Sequence, residues 1–269
     1  MSAVELETLE DNIACITLNR PERLNAIDGS LIDGVDHALD VVSGGEFRVL
    51  ILTGAGRGFC AGADLSGTGQ AWTKPASPST PPFKVNYDSQ VRLANLFTRL
   101  YELDVPVIAA VNGVAVGGGL AFTLVSDIRV ASEQARFGSV FIKAGFSSMD
   151  MGTSYLLPKI VGAGVARELM LTGRIIDAAE AYRIKLVHEV VAPDALMPAA
   201  LELARSIAAN NAYGVWQTKI GLNAALDAPS LRHAIELENR TQILSGFTNN
   251  PLEAAKAHME KRAPTWDPL

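Results

Sequence analysis

The chain has 269 residues, with 23 Lys and Arg against 29 Asp and Glu, for a formal charge of −6. That length can bury a full core without covalent staples, and the negative balance disfavours nucleic acid, whose phosphates repel it. Two cysteines, Cys15 and Cys60, exclude a disulfide framework and a four-cysteine zinc site.

The first residues, MSAVELETLEDN, are acidic and lack an apolar stretch, so they read as neither a secretory signal nor a transit peptide. Val4–Leu9 alternates, Asp11-Asn12 signals a turn, and Ile13–Leu18 resumes β-type residues, which predicts a hairpin. Asp28 can cap a helix running to about Val42, with Leu31, Val35, Leu39 and Val42 on one face. Arg48–Thr53 is a short apolar run of the buried-strand kind, followed by a Gly-rich loop, GAGRGFCAGADL, Gly54–Leu65.

Ser66 to about Pro82 is rich in Gly, Ser, Thr and Pro without periodicity, and is expected to be a mobile surface loop. Helical spacing predicts a helix over Val91–Leu103, a second buried strand over Pro106–Val111, and a second Gly-rich loop, NGVAVGGG, Asn112–Gly119. A short buried helix, Leu120–Val125, and a strand, Asp127–Ala131, come next. From Gly162 the pattern turns helical: Val165–Leu171, Ala178–Ile184, Ala195–Asn210, Val215–Leu226, Ser230–Leu244 and Pro251–Arg262. Strand, Gly loop and helix recurring twice predict an α/β fold with parallel βαβ units. The expected division is an α/β core over residues 1–191 and a helical region over 192–269. Apolar runs such as Val105–Val111 stop well short of the ~20 residues that span a bilayer, so a soluble, cytoplasmic protein without membrane partners is expected.

The two Gly loops are the main chemical signal. Glycine permits close backbone approach, and a loop that opens a helix aims unpaired N–H groups outward at the positive end of the helix dipole. Two such groups converging on one oxygen make an oxyanion hole. Tight turns alone would use the same glycines. Neither loop fits a dinucleotide GxGxxG unit, and no P-loop Lys follows.

FCAGADL (Phe59–Leu65), NGVAVGGGL (Asn112–Leu120) and SDIRVA (Ser126–Ala131) together resemble the crotonase superfamily, the enoyl-CoA hydratase/isomerase family. The resemblance spans nearly the whole chain. It starts at ITLNRPERLNA (Ile16–Ala26), continues through ARFG (Ala135–Gly138) and LTGRIIDAAEA (Leu171–Ala181), and ends at MEKR (Met259–Arg262). It implies a crotonase-like spiral of ββα units with a C-terminal helical trimerisation region, assembled as a homotrimer or a dimer of trimers. It also implies an acyl-CoA substrate and no separate cofactor. By position, the N–H groups of Ala61 and Gly118 would hold the thioester oxygen, and losing one such donor typically costs roughly 3–4 kcal/mol of transition-state stabilisation. Arg23 resembles the basic position near the nucleotide end of CoA, Ala26 the position whose backbone meets adenine, and Ala63, Asp64 and Leu65 flank the ligand path. Lys261 resembles a tail residue that reaches a CoA phosphate, often from a neighbouring subunit. As bare residues, Arg23 and Lys261 also read as solvated surface charges.

The chain departs from the family's hydratases. They use two glutamates, and the matching positions here are Ala121 and Phe141, neither of which transfers a proton. One acid remains in the region: Asp150, in GFSSMDMGTSYLLP, which resembles the catalytic aspartate of the dienoyl-CoA isomerase branch. An Asp among apolar neighbours has its charged form disfavoured and its pKa raised; the same residue can instead cap a helix starting near Gly152. Asp64 and Asp127 read as structural, Cys60 as a packed thiol, and His37, His188, His233 and His258 sit in no motif. Tyr155 and Ser147 could bind a water. No metal-ligand spacing occurs. Three functions stay open: hydration or double-bond isomerisation through Asp150, acyl-CoA binding without turnover, and hydrolysis or C–C cleavage on the same scaffold. The loop at Ser66–Pro82 is expected to border the acyl pocket.

Overall fold

The structure is a computed structural model that describes residues 2–67, 77 and 79–268. The chain opens with an antiparallel pair, β1 (Val4–Thr8) and β2 (Ile13–Leu18). Asp11 and Asn12 sit between them with positive φ of 57° and 55°, a conformation that their short polar side chains tolerate. Helix α1 (Gly29–Gly44) follows, and the Asp28 carboxylate accepts from the Leu31 N–H at 2.9 Å, a cap typically worth ~1 kcal/mol. Then come β3 (Val49–Gly54), β4 (Gly58–Cys60), α2 (Pro82–Tyr101), β5 (Val107–Val111), β6 (Val114–Val116), α3 (Gly118–Val125), β7 (Ile128–Ser132) and β8 (Arg136–Gly138). The remainder is α4 (Thr153–Val161), α5 (Ala163–Thr172), β9 (Ile176–Asp177), α6 (Ala178–Arg183), β10 (Glu189–Val191), α7 (Leu196–Ala208), α8 (Ala212–Ala225), α9 (Leu231–Ser245) and α10 (Asn250–Glu260).

Two sheets organise these elements. The larger runs β1-β2-β3-β5-β7-β10, parallel except for β1; the smaller runs β4-β6-β8-β9, parallel except for β9. Successive strand side chains alternate between faces, and the core divides accordingly. Leu50 and Leu52 join the cluster under α1, α2 and α3, whereas Val49 and Ile51 face the other way with Ile13, Cys15, Ile108, Ala110 and Val130. Leu196, Ala200 and Ala204 of α7 cover that second face. So α7, although it lies beyond residue 191, is packed on the sheet. Among the described residues no helix is long and apolar enough to cross a membrane.

The structure differs from the sequence expectations in several places, among them α4 (Thr153–Val161), expected only as a helix for Asp150 to cap, and β10 (Glu189–Val191), which is not among the expected elements. Helix α2 starts at Pro82, not Val91. Its first two turns carry exposed Phe83 and Tyr87 and its first buried residue is Ser89, so no core-facing stripe announces it; proline suits the first helical position. In the smaller sheet, β4 and β6 lie within the two expected Gly-rich loops, and strands of two or three residues are too short to show alternation. The loop expected at Ser66–Pro82 falls largely outside the described residues.

Candidate active site

Parallel pairing of β4 with β6, Gly58 opposite Val114 and Cys60 opposite Ala115, lays the two Gly-rich loops side by side. Past the strands the backbones touch where side chains are missing. A Cβ on Gly62, whose φ is +84°, would stand 2.9 Å from the Val116 carbonyl oxygen and 3.3 Å from the Gly118 nitrogen. The glycines therefore serve a backbone crossing as well as a turn.

The crossing bears on one expectation. The Ala61 N–H, expected to hold a thioester oxygen, donates to the Leu24 carbonyl at 3.0 Å and so is already used inside the protein. Two residues on, the chain makes a parallel bridge between Ile27 and Ala63. Its bonds run from Ile27 N–H to the Gly62 carbonyl (2.7 Å) and from Asp64 N–H to the Ile27 carbonyl (2.9 Å). A parallel bridge of this kind engages the residues flanking Ala63. The Ala63 N–H finds no partner among the described residues. In the second loop, the first intrahelical bond of α3 runs from Ala121 N–H to the Gly117 carbonyl, which leaves Gly118 N–H among the orphan donors of the helix start. Among the described residues, Ala63 and Gly118 therefore each keep an N–H without a backbone partner.

Asp150 reaches this site through its neighbour. Met151 sulfur and methyl lie 3.5 and 3.6 Å from the point where a Cβ on Gly118 would stand. Met151 and Gly152 both have positive φ, 47° and 78°, and the non-glycine one marks a backbone turn that costs energy to hold. The Asp150 carboxylate accepts at Oδ1 from Gln90 Nε2 (2.6 Å) and from the Met151 N–H (2.8 Å). It does not cap α4: the N-cap is Gly152, with no side-chain hydrogen bond. Burial pushes the Asp150 carboxyl above its ordinary range, with the two hydrogen bonds opposing. Ala121 is fully buried in α3 and the Phe141 ring lies 3.9 Å from the Cβ point of Gly117, so the two positions that lack carboxylates are apolar at the same crossing.

Arg20 ties two of the expected ligand-path residues, Ala26 and Asp64, to Asp28. It donates to the Ala26 carbonyl (2.5 Å) and pairs with Asp28 (3.0 Å) and Asp64 (3.1 Å). Hydrogen bonds from Ser66 first, then Arg20, hold the Asp64 carboxyl below its usual range; Asp64 is a brace for the segment. Asn25, buried with φ 56°, donates to the Ala55 and Gly58 carbonyls at 3.0 and 2.8 Å and so joins this segment to the first Gly loop. Leu65 is exposed beside it, and Arg23 stands exposed in a short 3-10 turn without an ion pair among the described residues. Lys261 follows α10 with φ 54°, and its N–H bonds to the His258 carbonyl; no hydrogen bond or ion pair among the described residues joins its side chain to the Gly loops. Burial pushes the Cys60 thiol up to about 12, which fits a packed, unreactive sulfur. Among the described residues no group of three or more His, Cys, Asp or Glu could hold a metal.

Sequence reasoning missed Gln90, Arg20 and Asn25. Gln90 fell just outside the helix expected from Val91. The spacing Phe83, Tyr87, Gln90, Ala94 on a helix begun at Pro82 places it on one face and could have marked it.

The enoyl-CoA hydratase/isomerase family model matches residues 8–268. A protein of Mycobacterium tuberculosis named "Probable enoyl-CoA hydratase EchA12" is 40% identical over 268 residues, which cover 99% of this chain and 93% of that protein. The 1,2-epoxyphenylacetyl-CoA isomerase of Escherichia coli is 35% identical over 260 residues, 96% of each chain. A crystal structure of enoyl-CoA hydratase from Bacillus anthracis superposes with a TM-score of 0.91 at 30% identity, covering 99% of this chain and all of that one, 100%.

Proposed function

This chain belongs to the enoyl-CoA hydratase/isomerase family, with the family's crotonase-like α/β fold, and on that premise we propose that it shifts the double bond of an enoyl-CoA by a proton shuttle on Asp150. The thioester carbonyl oxygen lies between the Ala63 and Gly118 N–H groups. Asp150 removes a proton from C2 of a 3-enoyl-CoA. The electron pair moves onto the thioester oxygen, where two fixed donors and the N-terminal end of α3 stabilise the enolate. Asp150 then returns the proton at C4, and a 2-enoyl-CoA leaves. Atoms and charge balance without a cofactor or a second acid.

The observation that carries this reading is the half-buried Asp150 carboxylate, held among the described residues at one oxygen only and one residue before Met151, whose sulfur lies 3.5 Å from the Cβ point of Gly118. A raised pKa keeps its conjugate acid a usable donor, and burial keeps its ionised form a stronger base. Arg23, Ala26 and Leu65 border the path of the CoA nucleotide. Lys261 joins it from a neighbouring copy in a trimer, or dimer of trimers, whose interface takes the exposed Leu222, Leu226, Leu244 and Phe247.

Hydration at the same acid is the second reading, favoured by the hydratase names of relatives. To decide, trans-3-hexenoyl-CoA and crotonyl-CoA are incubated with the parent and with Asp150→Asn. Isomerisation of the first, lost by at least 100-fold in the variant, supports the proposal; hydration of the second with no isomerisation replaces it. An unimpaired Asp150→Asn enzyme sinks both.

A further inference from the structure

We infer that Gln90 is a positioning residue for Asp150, holding Oδ1 so that Oδ2 is the oxygen that exchanges protons with the substrate. The inference rests on the reading of Asp150 given above. Two donors, Gln90 Nε2 at 2.6 Å and the Met151 N–H at 2.8 Å, meet at Oδ1. Oδ2 has no partner among the described residues. A carboxylate held at one oxygen has its plane set, and its free lone pairs point one way. The Gln90 amide must present nitrogen, because its oxygen in that place would face an ionised carboxylate.

The grip comes from outside the Asp150 turn. Gln90 stands 60 residues earlier on α2, which is seated by buried Leu93, Leu96, Phe97 and Leu100. Arg92 of α2 pairs with Asp33 of α1, and Arg99 pairs with Asp36 (2.7 Å) and Asp40 (2.5 Å). Gln90 is therefore fixed against the core by one helix, while Met151 fixes the same oxygen from the acid's own backbone. Among the described residues, no charged group contributes to the shift of Asp150. On α2 the neighbouring charges Asp88 and Arg92 are engaged with Lys84 and Asp33. On α4, Tyr155 and Lys159 are engaged with Asp227. Helix α3 carries no charged residue, and Lys143, before the Asp150 turn, packs toward Gly173. The hydrogen bond to Gln90 is thus the main polar influence on Asp150 that one side chain controls, and it opposes the effect of burial.

The test uses the full chain labelled with carbon-13 at the aspartate carboxyls, the Asp150 signal being the one that Asp150→Asn removes. Gln90→Leu should move the Asp150 titration upward and Gln90→Lys downward, with melting temperatures close to the parent because the Gln90 side chain is on the surface. On trans-3-hexenoyl-CoA, Gln90→Leu should lower kcat roughly tenfold and leave KM nearly unchanged, and the acid limb of its kcat/KM profile should move up with the titration. An unmoved Asp150 titration in both variants overturns the inference whether or not this probe turns over. So does a moved titration with parental kcat in Gln90→Leu. Parental activity in Asp150→Asn strikes instead at the function proposed for the acid.

Discussion

A Cβ on Gly119 would stand 1.9 Å from the carbonyl oxygen of Cys60. The contact is backbone to backbone, between the last residue of β4, three residues before Ala63, and the second residue of the helix that begins at Gly118. A side chain cannot turn away from such a contact, so the only relief is to separate the two loops. The same spacing that closes the core sets the distance between the two proposed oxyanion donors.

Gly119→Ala should therefore cost more than the fraction of a kcal/mol by which alanine ordinarily helps a helix interior. We expect a loss of about 2–4 kcal/mol from forced overpacking, read by urea unfolding. Gly44→Ala, at the end of α1 where nothing lies within 4 Å of the Cβ point, is the control and should fall within about 0.5 kcal/mol of the parent.

Ala61 and Ala63 should separate cleanly. Ala61→Pro removes the donor to Leu24 and should destabilise the fold by about 1–3 kcal/mol. Ala63→Pro removes an N–H that no described residue uses, and should lower kcat about 10²–10³-fold while the melting temperature stays nearer the parent's. A reversed outcome, with Ala61→Pro folded but inactive and Ala63→Pro active, would return the oxyanion role to Ala61.

Asp150 ties activity to instability. Its carboxyl is raised in the folded chain, chiefly by burial, so the folded state binds this proton more readily than the unfolded one. Its contribution to stability is full below the ordinary carboxylate pKa and is lost as pH rises through the higher folded value. Base catalysis needs the opposite form, so kcat/KM should fall on acidification along a limb above the ordinary carboxylate range. Asp150→Asn should raise the melting temperature relative to the parent more at pH 7 than at pH 4. An equal effect at both pH values would show that the carboxyl is not destabilised when ionised.

Lys219 offers a test away from the chemistry. Its side chain is 4% exposed, pairs with Asp127 at 2.8 Å and donates to the Val105 carbonyl at 2.9 Å. Burial lowers its pKa, against the pull of Asp127. Asp127 also accepts from the Val107 N–H at 2.7 Å. Removing one partner of such a pair strands the other, so Lys219→Ala should cost about 3 kcal/mol in denaturant unfolding. The double variant Lys219→Met with Asp127→Asn should recover part of that loss.

Much of the fold was legible locally. The hairpin, the capped helix at Asp28 and the buried apolar run of β3 are written in neighbouring residues, where a turn pair, a cap and a short unbroken apolar stretch act over a few positions. The small sheet was not, because its two- and three-residue strands are stabilised only by one another. At the candidate site, the two Gly loops and Asp150 could be named from motif order, but which alanine keeps its amide unpaired among the described residues could not. Ala61 and Ala63 are the same residue type two apart, and they differ only in that Leu24 and Ile27 reach one stretch of chain from elsewhere.

By itself the sequence determined an α/β chain of this family, two glycine loops able to touch, and Asp150 as the acid in a region where Ala121 and Phe141 carry none. Only the tertiary structure decided that Ala61 spends its N–H on Leu24, that Ala63 is left over, and that Gln90 grips Asp150 from 60 residues away. The physical reason is that side-chain type and local periodicity follow the covalent chain, whereas a hydrogen bond is settled by whichever partner folding brings within about 3 Å.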